Sequence, residues 1–334
     1  METAEDFERH ASEFRAAFRR IREEIAKVIV GQEPLVEDVL TGLFAGGHVL
    51  LEGVPGIGKT LLVHSLANSV HCRFARIQFT PDLMPSDIIG TRIVEEDEHG
   101  RKRFTFQHGP VFTQVLLADE INRATPKTQS ALLEAMQEKT VTVSGDSIRL
   151  DPPFFVIATQ NPLEMEGTYP LPEAQLDRFL FKLTVPYPAE EDLVEVSRRT
   201  TTRAMPKCEP VLGVEELLGL MQVVRGVPIA DHVERFAVRM LLATHPDNDE
   251  APGRVKQFVK YGASPRGLQA MVLGAKVRAL LDNRFHVAEE DLRAVARQSL
   301  RHRLLLNFEG EAEGVDPDTI VDEVIAAAAP AVAA

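Results

Sequence analysis

The segment Gly53-Val-Pro-Gly56-Ile57-Gly58-Lys59-Thr60 has the residue types and spacing to hold a polyphosphate, G-x-x-x-x-G-K-T. Its glycines let the backbone curl until successive N–H groups converge on phosphate oxygens. Lys59 brings a point charge to the β- and γ-phosphates, and the Thr60 hydroxyl is a ligand for Mg²⁺. The local context fits this loop. His48-Val-Leu-Leu-Glu52 before it reads as a buried strand, and Leu61, Leu62, Leu66 and Val70 give the following helix an apolar face.

Four further groups could act on the same phosphates. Val115-Leu-Leu-Ala-Asp119-Glu120 is an apolar strand that ends in two carboxylates. At the carboxyl end of a parallel strand they lie where open α/β sheets bind ligands. There Asp119 would hold Mg²⁺ through water, and Glu120 would polarise an attacking water. Phe154-Phe-Val-Ile-Ala-Thr-Gln-Asn161 ends another strand at that edge, where Asn161 could bond the γ-phosphate or orient the water. In Leu171-Pro-Glu-Ala-Gln-Leu-Asp-Arg-Phe179, Arg178 follows a helical turn. Alone it reads as a surface arginine, yet from this position it could reach a neighbouring subunit's γ-phosphate. Finally, Ser264 and Pro265 start a helix whose first turn carries Arg266. A cation there opposes the helix dipole, so a phosphate contact explains it better than local stability does.

These residues need a frame to hold them. Strands are expected at 48–52, 74–79, 115–119, 154–159 and 181–185, with helices near 59–70 and 126–138. Such alternation predicts an α/β fold with a mostly parallel sheet covered on both faces. Thr125-Pro126 supplies an N-cap and a first-turn proline. Two hairpins interrupt the pattern, one at 91–106 with a charged turn Glu95–Lys102, the other at 140–150. His99 and His108 read as surface residues of the first hairpin. Residues 1–28 carry Phe7, Ala11, Phe14, Phe18, Ile21, Ile25 and Val28 on one helical face. Packing on this chain's own core is expected of them, ahead of docking a partner. From 189 helical periodicity takes over. The expected divisions are an amphipathic helix at 1–28, an α/β core at 29–188, a small helical domain at 189–308, and a partly disordered tail at 309–334.

With 334 residues the chain can bury two cores. Its 37 Lys and Arg against 50 Asp and Glu leave a net charge of −13. That disfavours generic binding to nucleic acid or anionic membranes. Cys72 reads as a core thiol, and the two cysteines have no metal or redox spacing. No apolar run approaches the roughly 20 residues of a membrane helix, and no signal-peptide pattern opens the chain. A cytoplasmic location is expected.

The ordered set of phosphate loop, Asp-Glu strand end, strand ending in Asn, Leu-Asp-Arg-Phe and Ser-Pro-Arg resembles the AAA+ ATPases. The wording is closer still to the MoxR family: Gly31-Gln32, Phe79-Thr-Pro-Asp-Leu-Met-Pro-Ser-Asp87, Gly109-Pro-Val-Phe112, Ala118-Asp-Glu-Ile-Asn-Arg-Ala124 and Gln160-Asn-Pro162-x-x-x-x-Gly167. The resemblance spans about residues 25–305. It implies an AAA+ P-loop ATPase core, with a hairpin insertion in helix two and another before sensor one, followed by an all-α lid. It makes Gly53 to Thr60 Walker A and Asp119 with Glu120 Walker B, with Mg²⁺ on Thr60 and Asp119. Asn161 becomes sensor one, Arg178 an arginine finger and Arg266 a sensor two that ties the lid to the γ-phosphate. Gly31, Gln32 and Val28 to Val30 lie near the adenine, with Gly53, Gly56, Ile57, Gly58, Lys59, Thr60 and Leu61 completing the ATP site. It further implies a hexameric ring acting as a chaperone, with a von Willebrand factor type A domain protein as partner.

Other functions remain open. A phosphotransferase on the same loop would lack a water-activating glutamate, and Glu120, Asn161 and Arg178 together argue against it. No Asn-Lys-x-Asp signature of a GTP switch occurs. A nucleotide-gated scaffold with little turnover and a magnesium-chelatase-like motor subunit are the nearest alternatives.

Overall fold

The computed structural model describes residues 4–96, 102–143, 145–162, 167–202 and 206–328. In its first half, helices α1 (Ala4–Ala26) and α2 (Glu33–Ala45) precede β1 (Val49–Glu52) and α3 (Lys59–Ser69). Next come β2 (Phe74–Gln78), the short α4 (Pro85–Ile89), and the hairpin of β3 (Gly90–Glu96) and β4 (Lys102–His108). Strand β5 (Val115–Asp119) and helix α5 (Pro126–Glu138) follow, then a second hairpin of β6 (Thr140–Val143) and β7 (Asp146–Arg149). Strand β8 (Phe155–Gln160), the single turn α6 (Glu173–Leu176) and β9 (Phe181–Thr184) close this half.

The five long-range strands form one parallel sheet in the order β2-β5-β8-β1-β9. Alternate residues of each strand feed different cores. Val49, Leu51, Val115, Leu117, Phe155 and Ile157 face α1, α2, α3 and the second half of the chain. Leu50, Leu116, Ala118, Val156 and Ala158 face α5 and Phe179 on the other side. All five residues of β5 are buried, which is why this strand reads as an unbroken apolar run. Helix α1 uses its apolar stripe internally: Ala11, Phe14, Phe18, Ile21 and Ile25 are at most 2% exposed. Phe14 meets Phe44 of α2 edge-on, with ring centroids 4.9 Å apart.

The second half is helical, with α7 (Glu190–Thr200), α8 (Val214–Gly226), α9 (Asp231–Ala243), α10 (Gly253–Phe258), α11 (Pro265–Leu281) and α12 (Glu289–Leu300). One short antiparallel pair lies among them, β10 (Val259–Tyr261) with β11 (Leu305–Leu306). After Asn307, α13 (Phe308–Ala312) leads to α14 (Pro317–Ala327), which buries Ile320, Val321 and Val324 against α12 and α9. The end of the expected tail, 329–334, lies outside the described residues. No described helix is long and apolar enough to cross a membrane.

The first hairpin is longer than the expected runs, and the second matches them to within a residue. In the first, Glu95 faces Arg103 and Glu96 faces Lys102, so its charges pair across the strands. The tip, with His99 and Arg101, lies outside the described residues. His108 is exposed and stacks on Phe112. The two hairpins touch through an ion pair between Arg92 and Asp146. Thr125 precedes α5 as expected, but its hydroxyl bonds that of Thr128 at 3.2 Å rather than a backbone N–H.

Candidate active site

The loop after β1 and the start of α3 form the centre of the site. Gly56 and Gly58 hold φ of +82° and +88°, where any side chain would strain the backbone. A Cβ at either would meet nothing within 4 Å, so the loop borders open space large enough for a ligand. The Lys59 ammonium donates to the carbonyl oxygens of Gly53 and Val54, the latter at 3.2 Å. Burial pulls its pKa down, and the charges of Asp119 and Glu120 oppose that shift, so ammonium and carboxylates share one field.

Register carries the strand ends to the same edge. Glu52 pairs with Gln160, and Gln78 pairs with Asp119. Thr159 Oγ1 donates to Asp119 Oδ1 at 2.6 Å and accepts from the Glu120 N–H at 2.8 Å. Glu120 adopts φ +55°, an unusual conformation that turns the chain sharply where the strand ends. Asn161 follows one residue past β8 and is 5% exposed. Lys59, Thr60, Asp119, Glu120 and Asn161 are thus brought to one edge of the sheet. Among the described residues no group of three His, Cys, Asp or Glu could cage a metal. One hydroxyl and one carboxylate suit Mg²⁺, which keeps waters and takes the rest of its ligands from phosphates.

Sequence reading missed the groups that hold the two carboxylates. Arg76 donates to Asp119 Oδ2 from Nε at 3.2 Å and from an NH2 at 2.6 Å. The same guanidinium reaches Gln78 Oε1 at 2.8 Å, and Gln78 Nε2 donates to Glu120 Oε2 at 2.8 Å. Arg123 adds a bond to that oxygen at 2.9 Å. The available signal was the period of two: Arg76 and Gln78 lie on one face of β2, ending beside Asp119.

Beside the loop, Gln32 is buried and donates to the Ile57 carbonyl at 3.2 Å. Gly31 turns the chain into α2 just before it. A cavity of about 280 Å³ opens here, walled by Val28, Val30, Ile57 and Leu61 and, from the far side, by Tyr187 and Leu193. Arg199 fixes that wall by donating to the carbonyls of Ala26 and Lys27, both at 2.9 Å. The cavity is mostly apolar and borders the phosphate loop at Gly56 and Gly58, which suits a purine base.

Arg178 and Arg266 are elsewhere. Arg178 precedes β9, at the edge where the strands begin, and donates to the Leu133 carbonyl at 2.8 Å. Arg266 is beside it, 3.9 Å from Asp177 Oδ2. Both line one cavity of about 230 Å³ with Gly47, His48 and Lys139, ahead of β1. The length of β1, about 13 Å, separates that cavity from the phosphate loop. Arg266, expected to tie the lid to the γ-phosphate, thus lies apart from its own chain's phosphate loop: α11 starts against the Arg178 segment, at the opposite edge. Lys139, at φ +53° after α5, and Arg303 are two further cations of this cavity that sequence reading passed over.

Comparison with known sequences and structures gives the same architecture. The profile of the ATPase family associated with various cellular activities (AAA) matches residues 48–181, and that of the AAA lid domain matches 252–324. Chaperone MoxR1 of Mycobacterium tuberculosis is 44% identical over 90% of this chain and 79% of its own. Protein MoxR of Methylorubrum extorquens is 34% identical over 92% of this chain and 94% of its own. The chain belongs to the MoxR family of AAA+ ATPases. The crystal structure of an assigned ATPase from Cytophaga hutchinsonii superposes on this MoxR-family chain with a TM-score of 0.89. It is 41% identical and covers 96% of each chain. The MoxR-family fold is thus an AAA core with an AAA lid, and its reaction is ATP hydrolysis.

Proposed function

We propose that this chain is a chaperone motor whose ATP site is completed only between subunits of a ring. In this reading Gly53 to Thr60 cradle the phosphates, with Gly31, Gln32 and the neighbouring apolar wall around the adenine. Thr60 and Asp119 would hold Mg²⁺, which when bound neutralises the phosphates. Glu120 takes a proton from the attacking water, and Asn161 orients it. Arg178 and Arg266 serve the site of the adjacent subunit, where they stabilise charge as it develops on the γ-phosphate.

The observation that carries this is the separation of the arginines from the phosphate loop. A single chain presents a nucleotide site on one edge of its sheet and a pair of arginines on the other. Such a heterologous surface closes into a ring when the rotation allows, and six subunits is the number adopted here. The two hairpins would face the ring's pore and move with nucleotide state, remodelling or maturing a client complex with a von Willebrand factor type A domain protein. Two free cysteines, Cys72 and Cys208, suit a cytoplasmic setting.

The test is steady-state ATP hydrolysis against protein concentration, beside sedimentation velocity. Activity per subunit is expected to rise as rings assemble. Full activity from dilute monomers would overturn the shared site, and ATP binding without turnover at any concentration would favour a nucleotide-gated scaffold.

A further inference from the structure

Arg303 follows α12, and its side chain is only 2% exposed. A guanidinium has five N–H donors in a rigid fork, and here each one has an acceptor. Nε reaches Asp177 Oδ1 at 2.8 Å. One terminal nitrogen reaches the carbonyls of Asp177 and Phe179, at 3.0 and 2.6 Å. The other reaches the Leu180 carbonyl at 3.2 Å and that of Ser299. Four of the five acceptors belong to residues 177–180, the segment that carries Arg178. His302, uncharged because burial holds its pKa well below the usual value, adds an Nε2 bond to the Phe179 carbonyl at 3.1 Å.

The same carboxylate reaches α11. Asp177 Oδ1 also accepts from Ser264 Oγ at 2.7 Å, and Ser264 caps α11 through the Arg266 N–H at 3.2 Å. Gly267 lets the helix come close: a Cβ there would lie 3.0 Å from Leu300 and 3.2 Å from the Arg303 stem. Asp177 and Arg303 therefore join three segments distant in sequence: the turn bearing Arg178, the first turn of α11 bearing Arg266, and the end of α12.

We propose that Arg303, with Asp177, is a positioning residue that fixes Arg178 and Arg266 as one rigid unit for delivery to the adjacent subunit. The proposal rests on the shared-site reading above. Groups that stabilise a transition state must be held within about 0.5 Å, and a 1 Å error costs on the order of 10²-fold in rate. Lysine cannot replace the fork, because its three donors radiate from one atom.

The experiment uses full-length Arg303→Lys and, should that variant not fold, Asp177→Asn. Hydrolysis by either alone is expected to fall about 10- to 100-fold, while a fluorescent ATP analogue binds dilute subunits within about twofold of wild type. Each variant is then mixed with Glu120→Gln, which cannot hydrolyse its own ATP but keeps its arginines. Activity should return, as it should for Arg178→Ala mixed with Glu120→Gln, and should stay low on mixing with Arg178→Ala. A merely structural defect would not make a subunit competent to receive arginines yet unable to lend them. Wild-type activity from Arg303→Lys or Asp177→Asn alone, or no recovery with Glu120→Gln while the Arg178→Ala control recovers, overturns the proposal. If the control itself fails to recover, the shared site falls and the proposal falls with it.

Discussion

The two edges of the central sheet are built differently. At the edge where strands end, each acid meets a base on a neighbouring element: Asp119 with Arg76 at 2.6 Å and Glu120 with Arg123 at 2.9 Å. These contacts are partly solvated and can be exchanged for a ligand. At the edge where strands begin, one arginine is buried to hold two others that remain partly exposed, Arg266 at 42%. Balanced, exchangeable charge suits a surface that must accept Mg²⁺ and nucleotide. A fixed mount with partly exposed cations suits a surface that must present charge to something outside the chain. In the proposed shared site the two halves carry opposite electrostatic designs.

The sharpest way to break this comparison is to remove one element from each edge. Arg178→Ala should lower the maximal hydrolysis rate by about 10³-fold with ATP binding retained, measured by phosphate release beside equilibrium binding. Lys59→Ala should abolish binding itself. If Arg178→Ala weakened ATP binding by dilute subunits as Lys59→Ala does, the edges would not be separable.

Arg266→Ala should cost about 10- to 100-fold in hydrolysis, in the range of one phosphate-stabilising group. ATP affinity of dilute subunits should not change, because this arginine faces away from its own chain's loop. A changed affinity would return Arg266 to its own nucleotide.

Acid should strike the arginine edge first. His48 is buried there, and burial lowers its pKa to about 4; its Nδ1 accepts from the Val156 N–H at 3.0 Å. A histidine with a depressed folded pKa contributes stability above its unfolded value near 6.5, and loses it as pH falls toward 4. His302 acts in the same sense. About 2–3 kcal/mol should disappear across this window from His48 alone. Thermal melts from pH 7 to 4 would check this, and His48→Gln should flatten the slope.

The smallest effect probes the exchangeable charge. Arg76→Ala removes a cation from Asp119, and half-saturating Mg²⁺ for ATP hydrolysis should drop about fivefold, an interaction of roughly 1 kcal/mol for a pair whose arginine is exposed. Mg²⁺-free ATP binding should be unaffected. An increased Mg²⁺ requirement would mean that Arg76 aligns the carboxylate rather than competing for it.

Contiguous segments were legible in the sequence. Alternation of apolar runs and helical periods gave the parallel sheet, and strand β5 was located to the residue. The hairpins were found from paired runs around polar turns, the first short by a few residues, because cross-strand pairs extend its ribbon beyond the apolar part. Gly53 to Thr60 and Asp119-Glu120 were readable because local φ, ψ and strand direction alone send them to one edge. The base wall from Tyr187 and Leu193, and the Arg76–Gln78 chain, were not, since each depends on which strand or helix lies next to which. The same holds for the arginine edge. Arg178 and Arg266 could be picked out by type, but Asp177 lies 87 residues from Ser264 and 126 from Arg303. Short-range geometry is fixed by residue type and spacing, so the sequence determined the conformation and place of the Gly53 to Thr60 loop. Contacts across such separations exist only once the sheet and helices have packed, so the tertiary structure decided at which edge each arginine lies.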